Sequence, residues 1–201
     1  MADKEFLEAY HKKRDFDISS EPFGAAKGKK QKEIFVIQKH AATNMHYDFR
    51  LAIDGVLKSW AVPKGPSTNP EDKRLAVPTE DHPMEYADFE GAIPEDQYGG
   101  GTVMVWDAGT YKNNKKDDNG NLVPLKEQIE NGHVKVVLDG KKLKGGYSLI
   151  QFEKGKDEKW FLKKDDDEDA DARRNPTSTE NKSVLTGRTM NQIKKDSEKN
   201  E

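Results

Sequence analysis

Cysteine is absent from this 201-residue chain. That excludes a disulfide framework and thiolate chemistry, so any metal must be held by imidazole and oxygen ligands. Long apolar runs are also missing. No window approaches the roughly 20 apolar residues of a membrane span, and the N-terminus, Met1-Ala2-Asp3-Lys4-Glu5-Phe6-Leu7, lacks a signal-peptide apolar stretch. A soluble, cytoplasmic monomer with no membrane partner is expected. A basic excess is lacking too, since 34 Lys and Arg face 37 Asp and Glu for a net charge of -3. Binding to nucleic acid would therefore need a local cluster of cations rather than overall charge. Hydrophobic residues make up only 33% against 35% charged, which suits one compact core with polar extensions.

From residue 34 onward, short alternating runs are separated by turn residues: 34–39, 46–54, 56–62, 74–77, 102–107, 134–139, 146–153 and 158–163. The architecture expected is mainly β, a compact antiparallel barrel of about eight strands with one or two short flanking helices. Asp54-Gly55 and Asp139-Gly140 are hairpin signals. One helix is expected over Pro124 to Asn131, with Gly132 as its stop. Residues 113–121 and 65–72 read as hydrophilic loops. Residues 1–33 form a polar, Lys-rich arm with a short helix around Phe6, Leu7 and Tyr10. The end of the chain carries the acidic run Asp165, Asp166, Asp167, Glu168, Asp169 and Asp171 and few large apolar side chains, and reads as solvated.

The chemistry concentrates in His46-Tyr47-Asp48-Phe49-Arg50-Leu51-Ala52-Ile53. Strand side chains alternate, so Tyr47, Phe49, Leu51 and Ile53 face the core while His46, Asp48 and Arg50 share the other face. His40 ends the preceding run, near enough to stand beside His46. Two imidazoles and a carboxylate make a facial ligand set for a divalent metal, and Arg50 beyond them suits a phosphate. The competing reading is an ordinary polar face turned to solvent. His82, in Thr79-Glu80-Asp81-His82-Pro83, and Arg74, Lys64 and Tyr86 are individually unremarkable. Tyr98-Gly99-Gly100-Gly101-Thr102 lacks the lysine and helix of a nucleotide loop and reads as a tight strand entry. Trp60, Trp106 and Trp160 lie in apolar runs, as core residues do.

A long series of motifs adds to this. Phe35-Val36-Ile37-Gln38-Lys39-His40, His46-Tyr47-Asp48-Phe49-Arg50-Leu51, Leu57-Lys58-Ser59-Trp60-Ala61-Val62-Pro63-Lys64-Gly65-Pro66-Ser67, Lys73-Arg74-Leu75-Ala76-Val77, Glu80-Asp81-His82-Pro83 and Tyr86-Ala87-Asp88-Phe89-Glu90-Gly91 follow in order. Lys13-Arg14-Asp15-Phe16 and Glu21-Pro22 precede them. Over about residues 10 to 163 the chain resembles the 3′-phosphoesterase domain of bacterial DNA ligase D, in a stand-alone version. It departs from that pattern at Asn44-Met45 and Gln97.

The resemblance implies Mn2+, or another divalent transition metal such as Co2+, on His40, His46 and Asp48. It implies a scissile phosphate held by Arg50 and His82, with Tyr86, Arg74, Lys64, Gln38 and Glu80 in or near the site. It also implies that Arg14, Asp15 and Glu21 support activity on a 3′ ribonucleotide end. The implied activity removes a 3′-terminal ribonucleoside, a 3′-phosphate, or both from a primer strand. Partners would be the 3′ end of a primer-template and separate DNA ligase, polymerase or end-binding proteins. The organisation expected is an arm over 1–33 partly packed on the barrel, a barrel domain over 34–164 and a disordered acidic tail over 165–201. The competing functions are a non-catalytic end-binding module and a cupin-like small-molecule metalloenzyme.

Overall fold

The computed structural model describes residues 7–24 and 33–199. Nine antiparallel strands form one sheet: β1 (Ile34–Ala41), β2 (Met45–Ile53), β3 (Val56–Val62), β4 (Arg74–Pro78), β5 (Gly91–Ile93), β6 (Gly101–Asn113), β7 (His133–Gly140), β8 (Lys144–Glu153) and β9 (Lys159–Lys164). Their order is β1-β2-β3-β4-β9-β8-β7-β6-β5, and pairing of β1 with β6 closes eight of them into a barrel. The ninth, β5, is an addition to the expected set. Strand β6 is long enough to pair with β5 near Val103 and with β7 from Gly109 onward.

Where one or two helices were expected, four short ones occur among the described residues: α1 (Glu8–Lys12), α2 (Leu125–Glu130), α3 (Pro176–Thr179) and α4 (Met190–Ser197). Phe6, expected in the arm helix, and residues 25–32 of the expected arm lie outside the described residues.

The β2–β3 connection shows how sequence sets register. Asp54 and Gly55 both take positive φ, 53° and 85°, the conformation of a two-residue hairpin whose twist matches its strands. That fixes Arg50 opposite Ser59 and Asp48 opposite Ala61. Inward residues fill the barrel: Tyr47, Phe49, Leu51 and Ile53 of β2 pack with Trp60, Trp106 and Trp160, all buried. Phe49, Leu51 and Ile53 each contribute about 1.5–3 kcal/mol by leaving water.

The outer face of β6, β1, β2 and β3 is covered as well. Val36, Ala52, Leu57, Val103 and Val105 meet Tyr10 of α1 and Tyr86, Ala87, Phe89 and Ile93 in a second apolar cluster. The face bearing His46, Asp48 and Arg50 is therefore the floor of a cleft, and the solvent-face reading of that strand does not hold. Tyr86 belongs to a 3₁₀ turn over Met84–Asp88, and His82 pairs with Leu57 through two backbone hydrogen bonds, of 2.8 and 3.1 Å.

The acidic C-terminal stretch is not the disordered tail expected of it. The Asp171 amide donates to the Thr68 carbonyl, the Val184 amide to that of Val105, and Trp106 Nε1 donates to the Glu180 carbonyl. Ile193 of α4 joins the barrel core. Composition misleads here because two of the acids, Asp165 and Asp167, bond to main chain, a hydroxyl and a cation of the barrel strands. Asp167 accepts from the Gly146 amide at 2.6 Å and ion-pairs with the buried ammonium of Lys164, while Asp165 accepts from Ser148 Oγ at 2.7 Å.

Candidate active site

His40 and His46 are direct cross-strand partners on β1 and β2, with Gln38 opposite Asp48 and Val36 opposite Arg50. The imidazole centroids stand 4.7 Å apart. His40 Nε2 donates to the Gly99 carbonyl at 2.8 Å and His46 Nδ1 to the Asn44 carbonyl at 2.9 Å. Because a carbonyl can only accept, each ring carries its proton on that outer nitrogen. His40 Nδ1 and His46 Nε2 are left as lone pairs, 3.6 and 3.7 Å from the Asp48 carboxylate.

The three ligand atoms lie within 4.8 Å of one another, the one such grouping among the described residues. Carbonyls that orient imidazoles in this way are the usual outer partners of metal-binding histidines. The donor set, two nitrogens and an anionic oxygen, fits a divalent transition ion.

Asp48 is buried. Burial alone would raise its pKa, but the Arg50 guanidinium holds the carboxyl well below the usual range. It is therefore an anion, as a ligand must be.

Arg50 is clamped on three sides: Nε donates to Gln38 Oε1 at 2.8 Å, Nη1 to Ser59 Oγ at 2.8 Å and Nη2 to Asp48 Oδ2 at 3.2 Å. Gln38 is itself fixed, its amide donating to the Tyr86 and Phe89 carbonyls. Arg50 Nη1 also lies 2.9 Å from His82 Nδ1, whose hydrogen-bond acceptor is the Glu80 carbonyl at 2.8 Å. Burial, then Arg50 and Arg14, push the His82 pKa well below its ordinary value, so the ring is neutral.

The arm supplies the other wall. Arg14 donates through Nε to Glu21 at 2.8 Å and through Nη1 to Glu80 at 2.9 Å. Glu21 accepts further from Tyr86 at 2.9 Å and from Ser19 Oγ at 2.9 Å. Burial and the Glu21 charge raise the Tyr86 pKa well above its ordinary value, which keeps its hydroxyl a donor. For Glu80, burial would raise the pKa, but its own amide, Lys13 and Arg14 hold it below the ordinary value.

The resulting cleft, of about 270 Å³, is lined by Arg14, His40, His46, Asp48, Arg50, Glu80, His82 and Tyr86. Gln38 and Glu21 stand behind it as supports.

Three expected site residues are not brought in. Arg74 pairs with Asp72 at 2.8 Å, toward the far end of β4. Lys64 is exposed beyond β3, and Asp15 is exposed, its carboxylate accepting from the Asp17 amide. None of the three lines the cleft.

Sequence reasoning gave no site role to Ser59, Lys13 or Tyr98. The hairpin register was a signal for Ser59, since Asp54-Gly55 places it opposite Arg50. Lys13 donates to Glu80 at 3.0 Å and to the Tyr98 hydroxyl at 3.1 Å, contacts across 67 and 85 residues that no local pattern encodes.

Residues 38–151 match the family model of the DNA ligase D 3′-phosphoesterase domain. The chain is similar to the multifunctional non-homologous end joining protein LigD of Pseudomonas aeruginosa, 47% identical over 170 residues, covering 82% of this chain and 19% of that protein. It is also similar to the multifunctional non-homologous end joining DNA repair protein LigD of Mycobacterium tuberculosis, 46% identical over 146 residues, covering 72% of this chain and 18% of that protein. The chain thus spans about a fifth of the length of these relatives. With the ordered motifs, the barrel and the cleft agreeing with this match, the chain belongs to the DNA ligase D 3′-phosphoesterase domain family.

Proposed function

We propose that the chain is a manganese-dependent phosphoesterase that removes a 3′-terminal ribonucleoside, a 3′-phosphate, or both from a nucleic-acid primer strand, leaving a 3′-hydroxyl during end-joining repair. The observation that carries this reading is the pair of imidazoles whose outer protons are tied to the Gly99 and Asn44 carbonyls, so that two lone pairs converge on Asp48 beside the Arg50 guanidinium. His40 Nδ1, His46 Nε2 and Asp48 would hold manganese or a similar ion such as cobalt, which would supply positive charge to the phosphate ester.

The protein's own groups do the alignment. Phosphoryl transfer needs charge neutralised and oxygens held in line more than covalent help. Arg50, fixed by Gln38, Ser59 and Asp48, offers its remaining N–H groups toward the cleft and stabilises charge spread over the equatorial phosphate oxygens. Arg14, held by Glu21 and Glu80, brings a second guanidinium from the opposite wall. Burial keeps His82 neutral, together with Arg50 and Arg14; a phosphate arriving between the two guanidinium groups offsets their repulsion, which favours a protonated ring donating to a phosphate or leaving oxygen. Separate ligase, polymerase or end-binding chains would then act on the hydroxyl produced.

The test is incubation of purified protein with a primer-template ending in one ribonucleotide, with manganese or with chelator. Metal-dependent shortening followed by loss of the exposed phosphate is expected. Retention of the intact end with manganese present overturns the reading in favour of a module that only holds the end.

A further inference from the structure

Tyr98 is the cleft aromatic left open. Tyr10 and Tyr86 are 0% and 2% exposed, while Tyr98 keeps 49% of its surface exposed and lines the same cleft as His40, Asp48 and Arg50. It is held although exposed. The Gln97 amide donates to the Pro94 carbonyl at 3.0 Å and the Gly100 amide to that of Gln97 at 2.9 Å, closing the turn that presents the ring. Gly100 is required there, since a Cβ would stand 2.6 Å from the Pro94 oxygen. Lys13 donates to the Tyr98 hydroxyl and sits 4.5 Å from the ring centroid, with the Arg14 guanidinium at 5.6 Å. The next carbonyl along, that of Gly99, is the one that fixes His40. One turn therefore sets both an open aromatic ring and a metal ligand, and two cations stand beside the ring.

We propose that Tyr98 is the platform on which the departing 3′-terminal nucleoside stacks, and that it sets the preference for a nucleoside-bearing end over a bare 3′-phosphate. The proposal rests on the end-processing reading above. A flat base finds a ring face, and Lys13 and Arg14 complement the phosphate attached to it. Such stacking tolerates every base, because each has a π-face. A 3′-phosphate presents no group to that position, so the ring contributes to one substrate only.

The experiment compares wild type, Tyr98→Phe and Tyr98→Ala on one primer-template ending either in a ribonucleotide or in a 3′-phosphate. KM and kcat are measured on both ends. Quenching of a 3′-terminal 2-aminopurine ribonucleotide is followed in chelator, where nothing turns over. In Tyr98→Ala the KM for the ribonucleotide end is expected to rise about 10- to 100-fold, at least about tenfold more than for the phosphate end, with quenching lost. Tyr98→Phe, which keeps the ring and loses the Lys13 bond, is expected to resemble wild type in both respects. Equal losses on the two ends in Tyr98→Ala, or undiminished quenching, overturn the proposal. Tyr98-dependent quenching in a wild-type protein that turns over neither end leaves the platform standing and removes the phosphoesterase reading instead.

Discussion

Arg14 Nη2 approaches His82 Nε2 to 3.2 Å, joining the N-terminal arm to the far wall of the cleft. The imidazole accepts there and donates through Nδ1 to the Glu80 carbonyl, while Glu80 accepts Arg14 Nη1. Arm, imidazole and acid thus form a closed ring of hydrogen bonds, and neither wall of the cleft is complete without the other.

The first expectation concerns pH. Burial, Arg50 and Arg14 hold the His82 pKa well below 6.5 in the folded chain, whereas the unfolded chain takes up that proton near the ordinary value. Between the two values the unfolded state binds more protons, so stability rises with pH. The contribution is complete above about pH 6.5 and is lost as pH falls from there toward the folded pKa. Asp48, lowered from 3.8, acts in a more acidic window. Urea midpoints should fall between pH 7 and pH 5, and His82→Asn should flatten that slope, with His133, also lowered, supplying what remains. An unchanged slope in the variant would assign the effect elsewhere.

Removing a ligand should separate chemistry from folding, but only at the right residue. The His46 side chain is 22% exposed, so His46→Ala should keep its melting temperature while losing manganese binding by calorimetry. Its turnover should fall by more than the roughly 10–100-fold that disturbing an outer partner of a ligand costs. Asp48→Ala strands Arg50 as a buried, unpaired charge at a cost of about 3–5 kcal/mol, and should melt early. Asp48→Asn is the informative variant there. Normal turnover in His46→Ala would remove the metal site.

Glu21→Gln tests the arm. The carboxylate accepts from Arg14, Tyr86 and Ser19, and an amide turns one acceptor into a donor facing donors. The loss of about 1–3 kcal/mol should fall on removal of the ribonucleoside more than on removal of a bare phosphate, since Arg14 also borders the Tyr98 ring at 5.6 Å while Arg50 is held by Gln38, Ser59 and Asp48 and still binds the phosphate. Equal loss of both rates would mean that the arm serves the fold alone.

Truncation after Lys164 should destabilise the protein. It removes Ile193 from the core, about 1.5–3 kcal/mol, and leaves Trp106 Nε1 and the buried Lys164 ammonium without Glu180 and Asp167. A lower melting temperature is the expected result. An unchanged one would show that the packing of 165–199 contributes nothing to stability.

Much of this was legible where local rules act alone. Alternation in β2 separated Phe49 and Leu51 from Asp48 and Arg50, and Asp54-Gly55 announced its hairpin. Strand β5 was not legible, because three residues carry no periodicity. Strand β6 runs past Asp107 through pairing with β1 and β7, and the buried Asp107 carboxylate accepts from the amides of Lys141, Lys142 and Leu143, bracing the β7–β8 turn; none of these distant links leaves a local pattern. The order of the C-terminal segment is hidden for the same reason, since Asp165 and Asp167 bond to Ser148 and Gly146, 17 and 21 residues away. The cover over the cleft floor likewise depends on Tyr10 and Tyr86, far from β2 in the chain.

The hairpin that carries His40, His46 and Asp48 also bears on the order of assembly. Its ligands lie on two adjacent strands, and hairpins of that kind form in about 1–10 μs. The β1–β6 seam, which pairs His40 with Val103, joins distant segments and must wait for loop closure. The His40, His46 and Asp48 triad therefore sits on a local, fast-forming hairpin, and a metal ion that bound it before the barrel closes would favour the register that the seam later needs. Refolding in the presence of manganese is expected to be faster than in chelator, and in His46→Ala the two rates should coincide.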